Sequence, residues 1–260
     1  MAYENILFEL ADGIATITMN RNDTRNALSW GMAADIGDAL DRLGDARVLI
    51  LTGAGKGFCS GGDMSAHTPE GLGFGDMLGN GLSTAVNPML MKLHALDIPV
   101  IAAVNGAAAG AGAPLALSAD FVIAGQSAFF YFAFPHVGLA LDAGASWLMP
   151  RLVGLARASE ALFLAERIPA AKAADWGMIH KAVADDALMD EARALAARLA
   201  SGPTRSYALI RHALQRGASS GYAEALAHEA EAQRAAGNSR DCAEAVAAFL
   251  AKRAPVFEGR

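Results

Sequence analysis

The chain has 260 residues, 53% of them hydrophobic and 18% charged, which suits one sizeable buried core and excludes an intrinsically disordered protein. A formal charge of −6, with no run of Lys or Arg, argues against nucleic acid as the partner. Two cysteines, Cys59 and Cys242, are too few for a disulfide framework, and Met1–Ile6 lacks the basic and apolar regions of a signal peptide; both point to a cytoplasmic protein.

In chain order, Ile6–Leu10 and Ile14–Met19 flank Asp12-Gly13 and predict a β-hairpin. Ser29 predicts the cap of a helix reaching about Leu43, with Met32, Ile36, Leu40 and Leu43 on one face. Val48–Leu51 is expected to be a buried strand. Met64–Val86 is Gly-rich and polar and is expected to be mobile, with a helix near Met89–Leu96 after it. Val100–Val104 predicts a second buried strand, Gly110–Ser118 a helix entered through glycines, and Phe121–Ala124 and Ala128–Phe132 further strands. Ala143–Met149 reads as a helix. From Asp185 onward only helices are expected, over 187–200, 203–215, 222–236 and 241–252. Two charge-poor stretches, 98–119 and 121–141, are long enough for a bilayer, but their prolines, Asn105, Gln126 and His136 mark them as buried core rather than membrane spans.

Two segments carry the chemistry. Val48–Asp63 ends in Gly-Lys-Gly-Phe-Cys-Ser-Gly-Gly-Asp, and Pro99–Pro114 contains Asn-Gly-Ala-Ala-Ala-Gly-Ala-Gly. Backbone without side chains lets N–H groups come close to a ligand, and the second segment opens a helix, where amides are unsatisfied and the dipole is positive. Neither is a nucleotide motif. The first has the wrong glycine spacing for a dinucleotide fingerprint, and Gly57 follows Lys56 where a phosphate loop needs Ser or Thr. Gly57-Phe-Cys-Ser-Gly61 fits a nucleophile elbow with Cys59, although no His follows in a convincing context. His67 and His94 show no metal-ligand spacing, and no metal site is expected. His136 could assist chemistry or sit in the core.

From Asn20–Ser29 to Ala248–Arg260 the chain resembles the crotonase (enoyl-CoA hydratase/isomerase) family. The resemblance implies an α/β fold: a spiral of ββα units, residues 1–200, carrying an acyl-CoA site, and a helical trimerisation region, residues 201–260. It implies a homotrimer or a dimer of trimers, coenzyme A only as part of the substrate, and no covalently bound cofactor. It places two oxyanion donors on the amides of Gly62 and Ala111. Substrate contacts would fall on Arg25, Ala27, Lys56, Gly61, Asp63, Met64, Phe134 and Trp147, with Lys252 or Arg253 reaching a neighbouring subunit's phosphates.

The family's hydratases carry two glutamates, and here Pro114 and Phe134 stand at those places. Gly138-Leu-Ala-Leu-Asp-Ala-Gly-Ala-Ser-Trp-Leu-Met-Pro-Arg151 is similar instead to the phenylacetate-degradation isomerase branch, which puts a working carboxylate at Asp142. A lone carboxylate suits a 1,3-proton shift. Phe130, Phe134, Leu141 and Trp147 are expected to raise its pKa by desolvation. The plainer role for Asp142 is a helix N-cap, and for Asp120 a structural hydrogen-bonding group. Double-bond isomerisation is thus the expected reaction. Enoyl-CoA hydration is the alternative, and a non-catalytic acyl-CoA or RNA-binding module a third.

Overall fold

The computed structural model describes residues 3–64 and 71–260; His67 lies outside the described residues. Strands β1 (Ile6–Ala11) and β2 (Ile14–Met19) form the hairpin, antiparallel with Ile6 opposite Met19. Beyond it, β3 (Val48–Gly53), β5 (Val100–Val104), β7 (Phe121–Gly125) and β10 (Lys181–Val183) extend the sheet in parallel, in the order β1-β2-β3-β5-β7-β10. A smaller sheet takes β4 (Gly57–Cys59), β6 (Ala107–Ala109), β8 (Phe129–Tyr131) and the antiparallel β9 (Ile168–Pro169). Each of β3, β5 and β7 thus passes through a short turn into a strand of the second sheet, which makes the chain a spiral of strand pairs. The sequence hid β4, β6 and β9 because they are only two or three residues long. Nor are the strands evenly spaced: successive large-sheet strands begin at residues 48, 100, 121 and 181, so no repeat of fixed length governs the fold.

Both faces of the large sheet are covered, and this explains why β3 and β5 are buried at every residue. Leu49 and Leu51 face one core with α1 (Trp30–Asp41), while Val48 and Ile50 face the other with Leu188, Ala192 and Ala196 of α7 (Leu188–Ala200). Ser29 caps α1 as its sequence predicts, its Oγ accepting from Met32 N–H at 3.1 Å.

Of the stretch expected to be mobile, residues 65–70 lie outside the described residues and 74–86 are helical. α2 (Phe74–Gly81) runs through a five-residue π turn, Leu82–Val86, into α3 (Asn87–His94) without leaving helical backbone angles at the joins. Frequent glycines diluted the pattern, yet Leu78, Leu82 and Val86 keep helical spacing and Met77, Met89 and Leu93 are buried.

The short helix α4 (Gly112–Leu117) follows β6. α5 (Ala145–Leu164) is longer than the sequence suggests: it continues through Pro150 and breaks instead at Gly154, whose φ is 75°. After α6 (Ala170–Asp175) and β10 come α7 and the tail helices α8 (Thr204–Gly217), α9 (Tyr222–Gly237) and α10 (Arg240–Leu250). Arg211 of α8 locks the tail to the spiral. Its guanidinium, 5% exposed, donates to Leu93, His94 and Leu96 carbonyls at the end of α3 and to both oxygens of Asp120. Among the described residues no helix is long and apolar enough to cross a membrane.

Candidate active site

The first glycine turn follows β4 and is held by the residues preceding α1. Leu28 N–H donates to Gly61 O at 2.7 Å and Asp63 N–H donates to Leu28 O at 3.1 Å, a parallel bridge centred on Gly62. In that pairing the amide of the central residue points away from its partner. Among the described residues nothing accepts from Gly62 N–H. The second turn is anchored by Gly110 N–H on Tyr131 O at 2.8 Å, and Ala111 is the N-cap residue of α4. Among the described residues its N–H likewise has no acceptor, as expected for the first amides of a helix.

The two turns touch through bare backbone. A Cβ on Gly61, whose φ is +104°, would lie 3.1 Å from Ala109 O and 3.4 Å from Gly110 Cα. That close approach is the physical need for glycine here. It brings two uncommitted donors to one cavity wall.

The cavity is about 420 Å³ and includes Gly61, Gly62, Gly110, Ala111 and Asp142 in its lining. Met64 and Phe134 line it too, as do Trp30, Leu78, Leu82 and Val86 from the helical side. Among the described residues, Asp142 is the only ionisable side chain of this lining. Its Oδ1 is buried without a hydrogen-bond partner, and desolvation pushes its carboxyl up to about 6. Its side chain does not cap α5: the N-cap is Gly144, and only the Asp142 carbonyl bonds there, accepting from Ala145 N–H. Two consecutive left-handed residues, Ala143 (φ 49°) and Gly144 (φ 84°), turn the chain between Asp142 and the helix.

Other expected contacts divide. Asp63 lies beside the cavity turn and is paired with Arg21 at 2.8 Å; the same guanidinium donates to Ala27 O at 2.7 Å. The side chain of Ala27 is buried outside the cavity lining. Arg25 and Lys56 are exposed on neighbouring turns, away from that lining; the Arg25 carbonyl accepts from Ser60 N–H. Trp147 is placed elsewhere than the cavity wall. It lies outside the lining, edge-on to the His94 ring and stacked under the Arg151 guanidinium, because its position on α5 faces α3. Of the residues expected to desolvate Asp142, Phe134 and Leu141 line the cavity, while Phe130 is sealed in the core. Arg253 is held by both oxygens of Glu244.

Two alternative chemistries lose their footing. Cys59 is fully buried and desolvation pushes its thiol up to about 11, so it is not the thiolate that a nucleophile elbow requires. His136 is neither core nor cavity: it is exposed, with Nδ1 3.3 Å from the Tyr131 hydroxyl. Asp120 has the structural role, accepting from Val100 N–H at 2.8 Å besides Arg211. Among the described residues no three or more His, Cys, Asp or Glu side chains are gathered to hold a metal ion.

The sequence reading missed Asn26. It is completely buried; its Oδ1 accepts from Arg21 N–H, and its Nδ2 donates to Ala54 O and Gly57 O. This ties the segment before α1 to the β3–β4 turn, and so fixes Leu28 against Gly62. Its place in Asn20–Ser29 was visible, but a buried amide cannot be told from a surface one by sequence.

Residues 9–260 match the family model described as Enoyl-CoA hydratase/isomerase. A Rhodobacter capsulatus protein named "Probable enoyl-CoA hydratase" is 45% identical over 261 residues, covering 100% of both chains. The 1,2-epoxyphenylacetyl-CoA isomerase of Escherichia coli is 42% identical over 260 residues and 99% of each. Among solved structures, the enoyl-CoA hydratase from Bacillus anthracis superposes with a TM-score of 0.92 at 29% identity, covering 99% of this chain and 100% of that one. With matches of this extent, the chain belongs to the enoyl-CoA hydratase/isomerase family, and it is an enzyme of that type.

Proposed function

We propose that this enzyme isomerises the double bond of an enoyl-CoA, with Asp142 carrying the proton. The observation that bears most weight is that, among the described residues, one unpartnered carboxyl lies in a cavity whose wall presents two backbone donors without acceptors. As carboxylate, Asp142 would take a proton from the carbon beside the thioester of a 3-enoyl-CoA. The electron pair moves into the thioester oxygen as an enolate, which Gly62 and Ala111 N–H groups stabilise. The double bond then re-forms next to the thioester as the carbon two positions farther out takes the proton from Asp142. No water is consumed.

A carboxyl titrating near 6 is a competent base and acid at neutral pH. Hydration prefers a second group to hold and deprotonate water. Among the described residues the cavity lining has no second ionisable side chain, whereas the 45% identical relative bears a hydratase name, so the hydratase reading is tested beside the isomerase one. Incubation with a 3-enoyl-CoA and with crotonyl-CoA in deuterated water, followed by NMR and mass spectrometry, separates them. Deuterium at the exchanging carbons without added water supports isomerisation; water addition to crotonyl-CoA at a comparable rate overturns it.

We also infer that the tail helices associate with copies of this chain. Leu214 on α8, Leu226 on α9 and Phe249 and Leu250 on α10 are strongly exposed apolar side chains. Sedimentation equilibrium giving a monomer at micromolar concentration would remove this reading.

A further inference from the structure

The helical wall of the cavity has a feature that the proposed chemistry leaves unused. Leu78, Leu82 and Val86 form one stripe along α2 and the π turn, all facing the cavity. Beside that stripe, Gly81 meets Trp30, the first residue of α1. A Cβ built on Gly81 would lie within 2.5 Å of three atoms of the indole, so the ring rests against bare backbone. Trp30 is itself part of the cavity lining and packs on the main core.

Trp30 also has a fixed relation to the donor turn. It stands two residues after Leu28, which brackets Gly62 with two hydrogen bonds, and directly after the cap Ser29. The distance from the thioester position to the indole is therefore set by short, hydrogen-bonded backbone, while the opposite wall is helix. Among the described residues, apart from Asp142, the lining offers an acyl group no charged partner, so a second carboxylate on the substrate would meet one anion and no cation there. The volume of about 420 Å³ lies within the range of pockets for small organic ligands.

We propose that Trp30, seated on Gly81, is the specificity wall of the acyl pocket, and that the pocket selects uncharged apolar acyl groups longer than a butyryl chain. This rests on the acyl-CoA reading of the cavity and deepens it. Any Cβ at position 81 pushes the indole into the space that the acyl tail would fill. Trimming the indole lengthens that space.

The test is calorimetric binding of saturated butyryl-, octanoyl-, dodecanoyl- and adipoyl-CoA to the wild type, Gly81→Ala, Trp30→Ala and the double variant. None of these ligands needs proton transfer, so the binding result stands apart from the isomerase question. We expect octanoyl-CoA to bind the wild type more tightly than butyryl- or adipoyl-CoA. Gly81→Ala should weaken octanoyl-CoA about tenfold or more while sparing butyryl-CoA, the scale on which hydrophobic pockets discriminate. In the Trp30→Ala background the same substitution should be silent, because no indole remains to be displaced. Trp30→Ala alone should move the preference toward still longer chains, and this arm carries the test should Gly81→Ala fail to fold. Equal losses for butyryl- and octanoyl-CoA, an effect of Gly81→Ala that persists without the indole, an unchanged chain preference in Trp30→Ala, or tight adipoyl-CoA binding would each overturn the proposal. Absence of binding by every CoA ester would overturn the acyl-CoA reading of the cavity itself.

Discussion

Asp120 and Asp142 are the two acidic residues between Asp97 and Glu160, and the fold treats them oppositely. Asp120 is saturated: both oxygens take the Arg211 guanidinium and one also takes Val100 N–H. Asp142 lines a cavity with one oxygen buried and unpartnered, and its carboxyl is pushed up to about 6. The first arrangement joins the helical tail to the end of α3 and the start of β5. The second leaves a carboxyl whose proton is exchangeable near neutral pH. Identical side chains thus serve cohesion or reactivity according to what faces them.

Substitutions should separate these roles, and the largest effect is expected at Asp142. Asp142→Asn removes the proton carrier and should lower kcat by about 10²–10⁴-fold with CoA-ester affinity little changed. The same change should raise stability. The folded chain holds this proton up to about pH 6, against an ordinary carboxyl value of 3.8, so ionisation destabilises the fold as pH rises through that window. Relief of that strain is worth on the order of 2–3 kcal/mol at pH 7 and fades toward pH 4. Chemical denaturation at both pH values checks it. A stabilised protein with full activity would break the contrast between the two aspartates.

Next comes the donor turn. Gly62→Pro deletes an N–H and should cost about 10²–10³ in kcat. Gly62→Ala keeps the amide, and a Cβ there meets nothing within 4 Å among the described residues, so it should retain most activity. Steady-state kinetics on the pair distinguishes loss of a donor from disturbance of the turn.

Arg211→Ala should do the reverse of Asp142→Asn. It strips partners from Asp120 and from three carbonyls at the end of α3, and should cost on the order of 3 kcal/mol of stability. Activity per folded molecule should be largely kept, as measured by urea denaturation alongside kinetics. The gentlest probe is pH. In the wild type, kcat/KM should fall about tenfold per pH unit below about 6, because only the charged carboxyl is a base, and level off above it. An acid limb unchanged in Asp142→Asn would assign that titration elsewhere.

Much of the fold was legible because its signals are local. The hairpin, the Ser29 cap, the apolar strands and the tail helices depend on residues close in sequence, and they lie within a few positions of their expected ends. The helical turns over 74–86 were missed because glycine suppresses local helical preference, whereas the helix expected near Met89–Leu96 is present as α3; the tertiary contact of Gly81 with Trp30 uses that bareness. Trp147 read as a pocket aromatic because it is five residues from Asp142, yet the left-handed turn at Ala143-Gly144 and the start of α5 carry it to His94.

By itself the sequence determined the hairpin, the longer apolar strands and the tail helices, that two glycine-rich turns are bare of side chains, and that a carboxyl stands at position 142. Tertiary structure alone decided that Gly61 and Gly110 approach closely, that Asn26 and Leu28 hold Gly62 with its amide uncommitted, and that Asp120 is neutralised while Asp142 is not. The reason is physical: a residue's type fixes which bonds it is able to make, whereas desolvation and partner choice depend on groups brought together from distant parts of the chain.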